Sequence, residues 1–136
     1  MSKYSTIEIP SGTVVYKKII LSSRIMPCSC FSGCPGITYN ECGLVEMEVT
    51  KGGFICKYEN EYNKKGRVRA AKVISITSMD TGEPAESGYS SYNPEFKYTV
   101  GKTVTPYSDF DEDETDTCAS GIHCFLDKKD AEKYVL

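Results

Sequence analysis

Seven cysteines and a single histidine are the side chains of this 136-residue sequence best suited to nucleophilic or metal chemistry. His123 stands in the stretch CASGIHCFLD (118–127), beside Cys124 and five residues after Cys118. A cysteine nucleophile needs a positioned base, and His123 is the only imidazole in the chain. An enzyme built on this segment would therefore use His123 with Cys118 or Cys124. Strand geometry separates the candidates. Adjacent strand residues point to opposite faces, so His123 and Cys124 do not easily hydrogen-bond. Cys118, ahead of a Ser-Gly turn, is the better partner, and Cys56 is a strand residue that can approach from elsewhere. The favoured reading is structural: His123 is a half-buried strand residue whose ring bonds a backbone carbonyl, the more frequent role of a lone histidine.

A second constellation is CSCFSGCPGITYNEC, with Cys28, Cys30, Cys34 and Cys42. Four thiols this close can enclose a tetrahedral zinc ion, and Gly33, Pro35 and Gly36 permit the tight turns. The C-x-C-x3-C-x7-C spacing differs from the paired C-x2-C knuckles of common zinc sites. A reversible disulfide, or a cysteine-bearing loop with some thiols buried as small hydrophobes, are the competing readings. A third constellation is acidic: Asp109, Asp111, Asp113, Glu114 and Asp116. It fails as a calcium loop, because Glu114 stands where glycine is needed and Ser120 occupies the twelfth position. It reads as a solvated loop.

The bulk composition narrows the classes. The chain is 40% apolar and 26% charged, ordinary for one globular domain spanning residues 1–136. A net charge of −3 argues against a dedicated nucleic-acid binder, which needs clustered Lys and Arg. No apolar run is long enough to span a membrane as a helix, and the N-terminal stretch MSKYSTIEIPSG has no signal-peptide core. The expected location is intracellular, where cysteines serve as thiols or metal ligands more often than as disulfides.

The elements that would position these residues are mostly strands. TVVYKKIIL (13–21), GLVEMEV (43–49), GFICKYE (53–59) and VRAAKVISIT (68–77) carry β-branched or alternating patterns, and GIHCFL (121–126) is a short apolar run that reads as a buried strand. In the fourth, Val73 is out of step with Ile74 and Ile76, which suggests that both faces are covered. FKYTVGKTV (96–104) holds two short strands about a turn at Val100-Gly101-Lys102. MDTGEPAESGYSSYNPE (79–95) and the acidic stretch 107–117 read as loops without core residues. One helix is expected at the C-terminal end. Asp127 caps it, Asp130 completes a capping box, and Leu126 staples to Ala131. Ala131, Tyr134 and Val135 form its apolar stripe. The fold class is α+β: a mostly antiparallel twisted sheet or small barrel, GIHCFL central, with this short helix packed on it.

The segment FKYTVGKTVTPYSDFDEDETDTCASGIHCFLDKKDAEKY resembles a domain of unknown function found in large DNA viruses and phages, often beside pentapeptide repeats. The matching positions are Tyr98, Val100, Gly101, Phe110, Asp111, Cys118, Gly121, Ile122, His123, Phe125, Ala131 and Tyr134. Upstream, RVRAAKVISI is similar to that family's basic strand at Arg67, Arg69, Ala70, Lys72 and Val73. The resemblance covers residues 44–135. It leaves the cysteine-rich stretch 28–42 as an insert, and no pentapeptide repeat accompanies the domain. SGIHCFLDKKDAEKY is also similar to the G-x-G-I-Y-F…S-A-x-Y segment of ADP-ribosyltransferases. Here His123 stands at the tyrosine position, no earlier histidine exists, and only Val135 and Leu136 follow Tyr134. That likeness is to a strand–turn–helix shape.

The resemblance implies a viral protein acting in the cytoplasm of an infected host cell or in a virion. The expected function is a non-enzymatic protein-interaction module whose partner is a host or viral protein, or a second copy of the chain. Neither nucleic acid nor membrane is an expected partner. Tyrosine-bearing loops such as Tyr89 to Tyr92 suit such contacts. The alternatives are a small enzyme or nucleotide-binding protein with the shape of an ADP-ribosyltransferase, and a zinc-binding adaptor; zinc is the one cofactor in view. The zinc reading predicts that a chelator removes the mass of a zinc ion in native mass spectrometry and lowers stability. An unchanged mass and an unchanged melting curve would exclude a structural metal at Cys28, Cys30, Cys34 and Cys42.

Overall fold

The computed structural model describes residues 4–26, 37–58, 65–90, 95–106 and 121–134. They form strands β1 (Tyr4–Ile9), β2 (Val14–Met26), β3 (Ile37–Tyr58), β4 (Lys65–Ser78), β5 (Pro84–Ala85), β6 (Ser87–Tyr89), β7 (Lys97–Thr99), β8 (Thr103–Val104) and β9 (Ile122–Phe125), then helix α1 (Lys128–Lys133). The strands form one antiparallel sheet, in the order β1-β3-β4-β9-β2-β6-β7, with β5 and β8 paired to β4. β3 also pairs with β2, so β2, β3, β4 and β9 make a closed circuit of pairings. GIHCFL is central, as its apolar character implied: β9 bridges β4 and β2.

The long strands are continuous because their faces are kept in register by bulges. The stretches 43–49 and 53–58, which look separate in sequence, belong to one 22-residue strand. Gly52 and Gly53 join them. A Cβ on Gly53 would run into the Arg67 carbonyl of the neighbouring strand, so a glycine is required for that approach. Opposite, the pairs Glu46↔Ser75 and Met47↔Val73 leave Ile74 as an extra residue. This bulge explains why Val73 and Ile76 are out of step: the parity resets between them. Val73 and Ile76 both enter the core at 1% exposure, while Ile74 is left 41% exposed. Both faces are therefore not covered at that point; one face carries the core.

The core lies on the inward face of the circuit and holds Val15, Ile19, Val45, Met47, Val68, Val73, Ile76, Tyr98, Ile122 and Cys124 among others. Other sequence expectations are corrected. The stretch 79–95 carries β5 and β6, and Ala85 packs against the core. Residues 22–26 extend β2 beyond the run 13–21. β1 was not foreseen. Gly101 makes the expected turn with φ of +86°, a conformation that favours glycine. The acidic stretch 107–117 lies outside the described residues.

The helix is too short to stand alone and is held from three sides. Asp127 is its N-cap and its carboxylate accepts the Lys129 amide at 2.9 Å. Ala131, fully buried, packs with Phe125 and Leu44, flanked by Tyr16 and Tyr134. Lys18 of β2 donates to the Glu132 and Tyr134 carbonyls at 3.4 and 3.1 Å, a cation at the helix C-terminus. The expected staple is replaced. Leu126 remains 36% exposed, and Phe125 instead meets Tyr134, ring centroids 5.5 Å apart. Val135 lies outside the described residues. Replacing Asp127 with alanine should lower stability by about 0.5–2 kcal/mol in denaturant titrations, through the lost cap, with the sheet signal intact.

Candidate functional site

Strand β9 sorts the residues of CASGIHCFLD by parity. Ile122 and Cys124 point inward and are 2% and 1% exposed. His123 faces outward, half-buried, opposite Arg67 of β4, which in turn lies opposite Phe54 of β3. The Arg67 guanidinium sits 5.1 Å from the Phe54 ring centroid and the residue is 2% exposed, so the outward row Phe54–Arg67–His123 is closely covered. His123 Nε2 is buried and accepts no hydrogen bond from the described residues, while His123 is engaged through other interactions. His123 and Cys124 therefore stand on opposite sides of the sheet, as their adjacency implied. Cys118 lies outside the described residues.

The inward group around Cys124 is chemically subdued. Burial, the dominant cause, pushes the Cys124 thiol up to about 12, and the positive charge of Lys17 only partly offsets it. Lys17 takes an inward register position between Val15 and Ile19, opposite Val45. Burial likewise raises the Tyr98 hydroxyl well above its ordinary range, and the thiolate that Cys124 would form adds to the effect. Tyr98 stacks obliquely on Phe96, ring centroids 5.2 Å apart. A thiol held protonated in this way is not a nucleophile at neutral pH.

Of the cysteine-rich constellation, Cys28, Cys30 and Cys34 lie outside the described residues. Cys42 is half-buried in β3 as a free thiol, its sulfur 3.8 Å from the Asn40 carbonyl. Among the described residues no three His, Cys, Asp or Glu side chains gather as metal donors. The basic strand is used locally: Arg69 donates to the Gly52 carbonyl at 2.8 Å, beside a cleft of about 540 Å³ that Glu8 also lines. Among the described residues no helix is long and apolar enough to cross a membrane.

A different site emerges on the outward face. The cross-strand row Tyr16–Glu46–Ser75 runs over β2, β3 and β4, and Lys18–Leu44–Thr77 lies next to it. Helix α1 covers one end of these rows and stops short of the other. A cleft of about 400 Å³ remains between them, floored by Tyr16, Leu44 and Glu46, bordered by Ser75 and Thr77, and walled by Lys128 and Glu132 of the helix. The Tyr16, Glu46, Ser75, Thr77, Lys128 and Glu132 side chains make no hydrogen bond or ion pair among the described residues. Ser78, at the margin, is committed to structure: its hydroxyl receives the Asp80 and Thr81 amides at 3.3 Å. Sequence reading missed this cleft. The alternation in GLVEMEV placed Glu46 on an outward face, but nothing local placed the helix beside it.

The buried thiol carries a pH prediction. A raised folded-state value means that the protonated thiol is favoured by folding. That contribution is complete below the unfolded value near 9 and is lost as pH rises towards 12. Stability of the native chain should fall over this window, and Cys124→Ala should flatten the fall. In native protein at neutral pH, a thiol reagent should leave Cys124 unmodified; rapid native labelling of Cys124, mapped by mass spectrometry, would contradict the burial.

Comparison with known proteins agrees with the viral resemblance. An uncharacterized protein of Acanthamoeba polyphaga mimivirus is 33% identical over 129 residues, covering 88% of this chain and 81% of that protein. No solved structure matches. Residues 6–131 match the family of unknown function DUF5758, a span that begins well before residue 44 and brackets the cysteine-rich stretch. With nearly its whole length inside that match and a relative in a large DNA virus, the chain belongs to the DUF5758 family.

Proposed function

We propose that this chain is a binding module for a host or viral protein in the infected cell, and that it takes an extended segment of that partner as an added strand on β1. The observation that carries this reading is the character of β1. Among the described residues it pairs on one side only, with β3, through six consecutive positions from Tyr4 to Ile9. Its Ile7 is 49% exposed. Exposed strand edges of this kind are templates for a further strand, and proteins that avoid such pairing place Lys or Pro on them. The sequence YSTIEI has neither; its one charged residue is Glu8, and Pro10 stands just beyond its end.

The rest of the sheet supports the choice. In this reading the circuit β2–β3–β4–β9 acts as a small barrel, closed where β9 bridges β4 and β2. β5, β7 and β8 are only two or three residues long, whereas β1 is a whole six-residue strand open along one side among the described residues. In strand addition, main-chain hydrogen bonds supply affinity and neighbouring side-chain pockets supply specificity. The cleft lined by Glu8 and Arg69 lies beside this strand and suits that second part.

A photo-crosslinking residue in place of Ile7 should capture a specific protein in infected cells. In that complex the alternate amides of Tyr4–Ile9 that point away from β3 should gain protection from hydrogen exchange. Ile7→Lys should abolish the capture and leave the melting temperature unchanged, because the side chain is exposed. Self-crosslinking alone would assign the edge to a second copy of the chain. Salt-dependent recovery of nucleic acid alone would overturn the proposal.

A further inference from the structure

The cleft between α1 and the sheet lies on a different surface from β1, and its reading stands or falls separately. It combines three kinds of lining. Tyr16 and Leu44 provide an apolar floor. Glu46 is a half-buried carboxylate in that floor, and Glu132 overhangs it from the helix. Ser75 and Thr77, two residues apart on β4, present hydroxyls along one border. A carboxylate that has lost part of its hydration without gaining an ion pair or hydrogen bond among the described residues is favourably met by a cation. The neighbouring Tyr16 ring suits the same charge, since a cation is attracted to an aromatic face.

We infer that this cleft binds an arginine or lysine side chain from an extended segment of a partner protein, with Glu46 receiving the charge and Glu132 flanking it. The volume, about 400 Å³, is at the small end of ligand sites and matches one long side chain with its adjoining backbone. The mixed lining favours a peptide over a free polyamine. Lys128 repels a ligand that is positive along its whole length, but it can donate to the carbonyl groups that flank a basic residue. Ser75 and Thr77 offer donors and acceptors to the same backbone.

The test is a nitrogen-15 NMR titration of the whole chain with acetyl-Gly-Arg-Gly-amide. The expected result is millimolar binding, with shifts at Tyr16, Glu46, Ser75, Thr77 and Glu132, that weakens as salt is raised. The same peptide with citrulline, a neutral isostere of arginine, should bind about tenfold more weakly or not at all. Glu46→Gln should reduce affinity for the arginine peptide by a similar factor. Glu132→Gln, on the exposed helix flank where folding is not at stake, should reduce it to a smaller extent. Ile7→Lys should leave it unchanged, which separates this site from β1. Equal binding of the citrulline peptide would overturn the assignment. So would the absence of shifts in the cleft, or an affinity unaffected by either glutamate substitution. Tighter binding of spermidine than of the peptide would overturn the assignment to a protein segment and identify a polyamine site.

Discussion

Strand β9 is the constraint on which the architecture turns. It is four residues long, yet it pairs with Lys65–Val68 of β4 on one side and meets β2 at Tyr16 on the other. Phe125 takes part in both pairings. Without this bridge, β2 and β4 would each present an unpaired edge where the circuit now closes. The same four residues feed both hydrophobic clusters. Ile122 and Cys124 complete the inner core, and Phe125 on the outer side joins Leu44 and Ala131 beneath the helix. The helix follows at once, capped by Asp127, so its place on the sheet is set by where β9 ends.

The long strands impose a second condition. β3 serves β1, β2 and β4 in turn, and no strand of that length keeps one face inward around a tightly curved circuit without interruption. The register shifts fall at Ile74, at Thr50 and at Leu21, each adding one residue to its strand. At the third, Gly43 leaves the space that Leu21 fills; a Cβ there would lie 2.7 Å from a Leu21 methyl. These interruptions keep Val45, Met47, Val73 and Ile76 inward. They also line up Tyr16, Glu46 and Ser75 on the outside, where the short helix covers only part of the row.

Polar chemistry is consequently divided between two environments. Inside, Cys124 and Tyr98 are held in their protonated forms by burial, and the core gains packing from them without reactivity. Outside, Lys18 stabilises the helix end, Arg67 lies against Phe54, and Arg69 holds the Gly52 carbonyl. Those cations are committed to the fold. Glu46, Lys128 and Glu132 have no such commitments among the described residues, and they line the same cleft.

Local sequence determined much of this. β-branched runs marked β2 and β4, a short apolar run marked β9, the Val-Gly-Lys turn marked the break between β7 and β8, and Asp127 marked the helix start. The two-residue period of a strand was enough to separate His123 from Cys124. These features depend on neighbours a few residues away, and so they are legible from a short window. Only the tertiary structure decided the rest. Whether Val73 and Ile76 share a face depends on an extra residue accommodated against β3, and whether Gly52-Gly53 ends a strand or continues it depends on the closeness of β4. β1 and β6 have little pattern of their own and become strands because a partner supplies their hydrogen bonds. The cleft is created by residues from β2, β3, β4 and α1, far apart in the chain, and a property shared by such distant segments has no signature in any one of them.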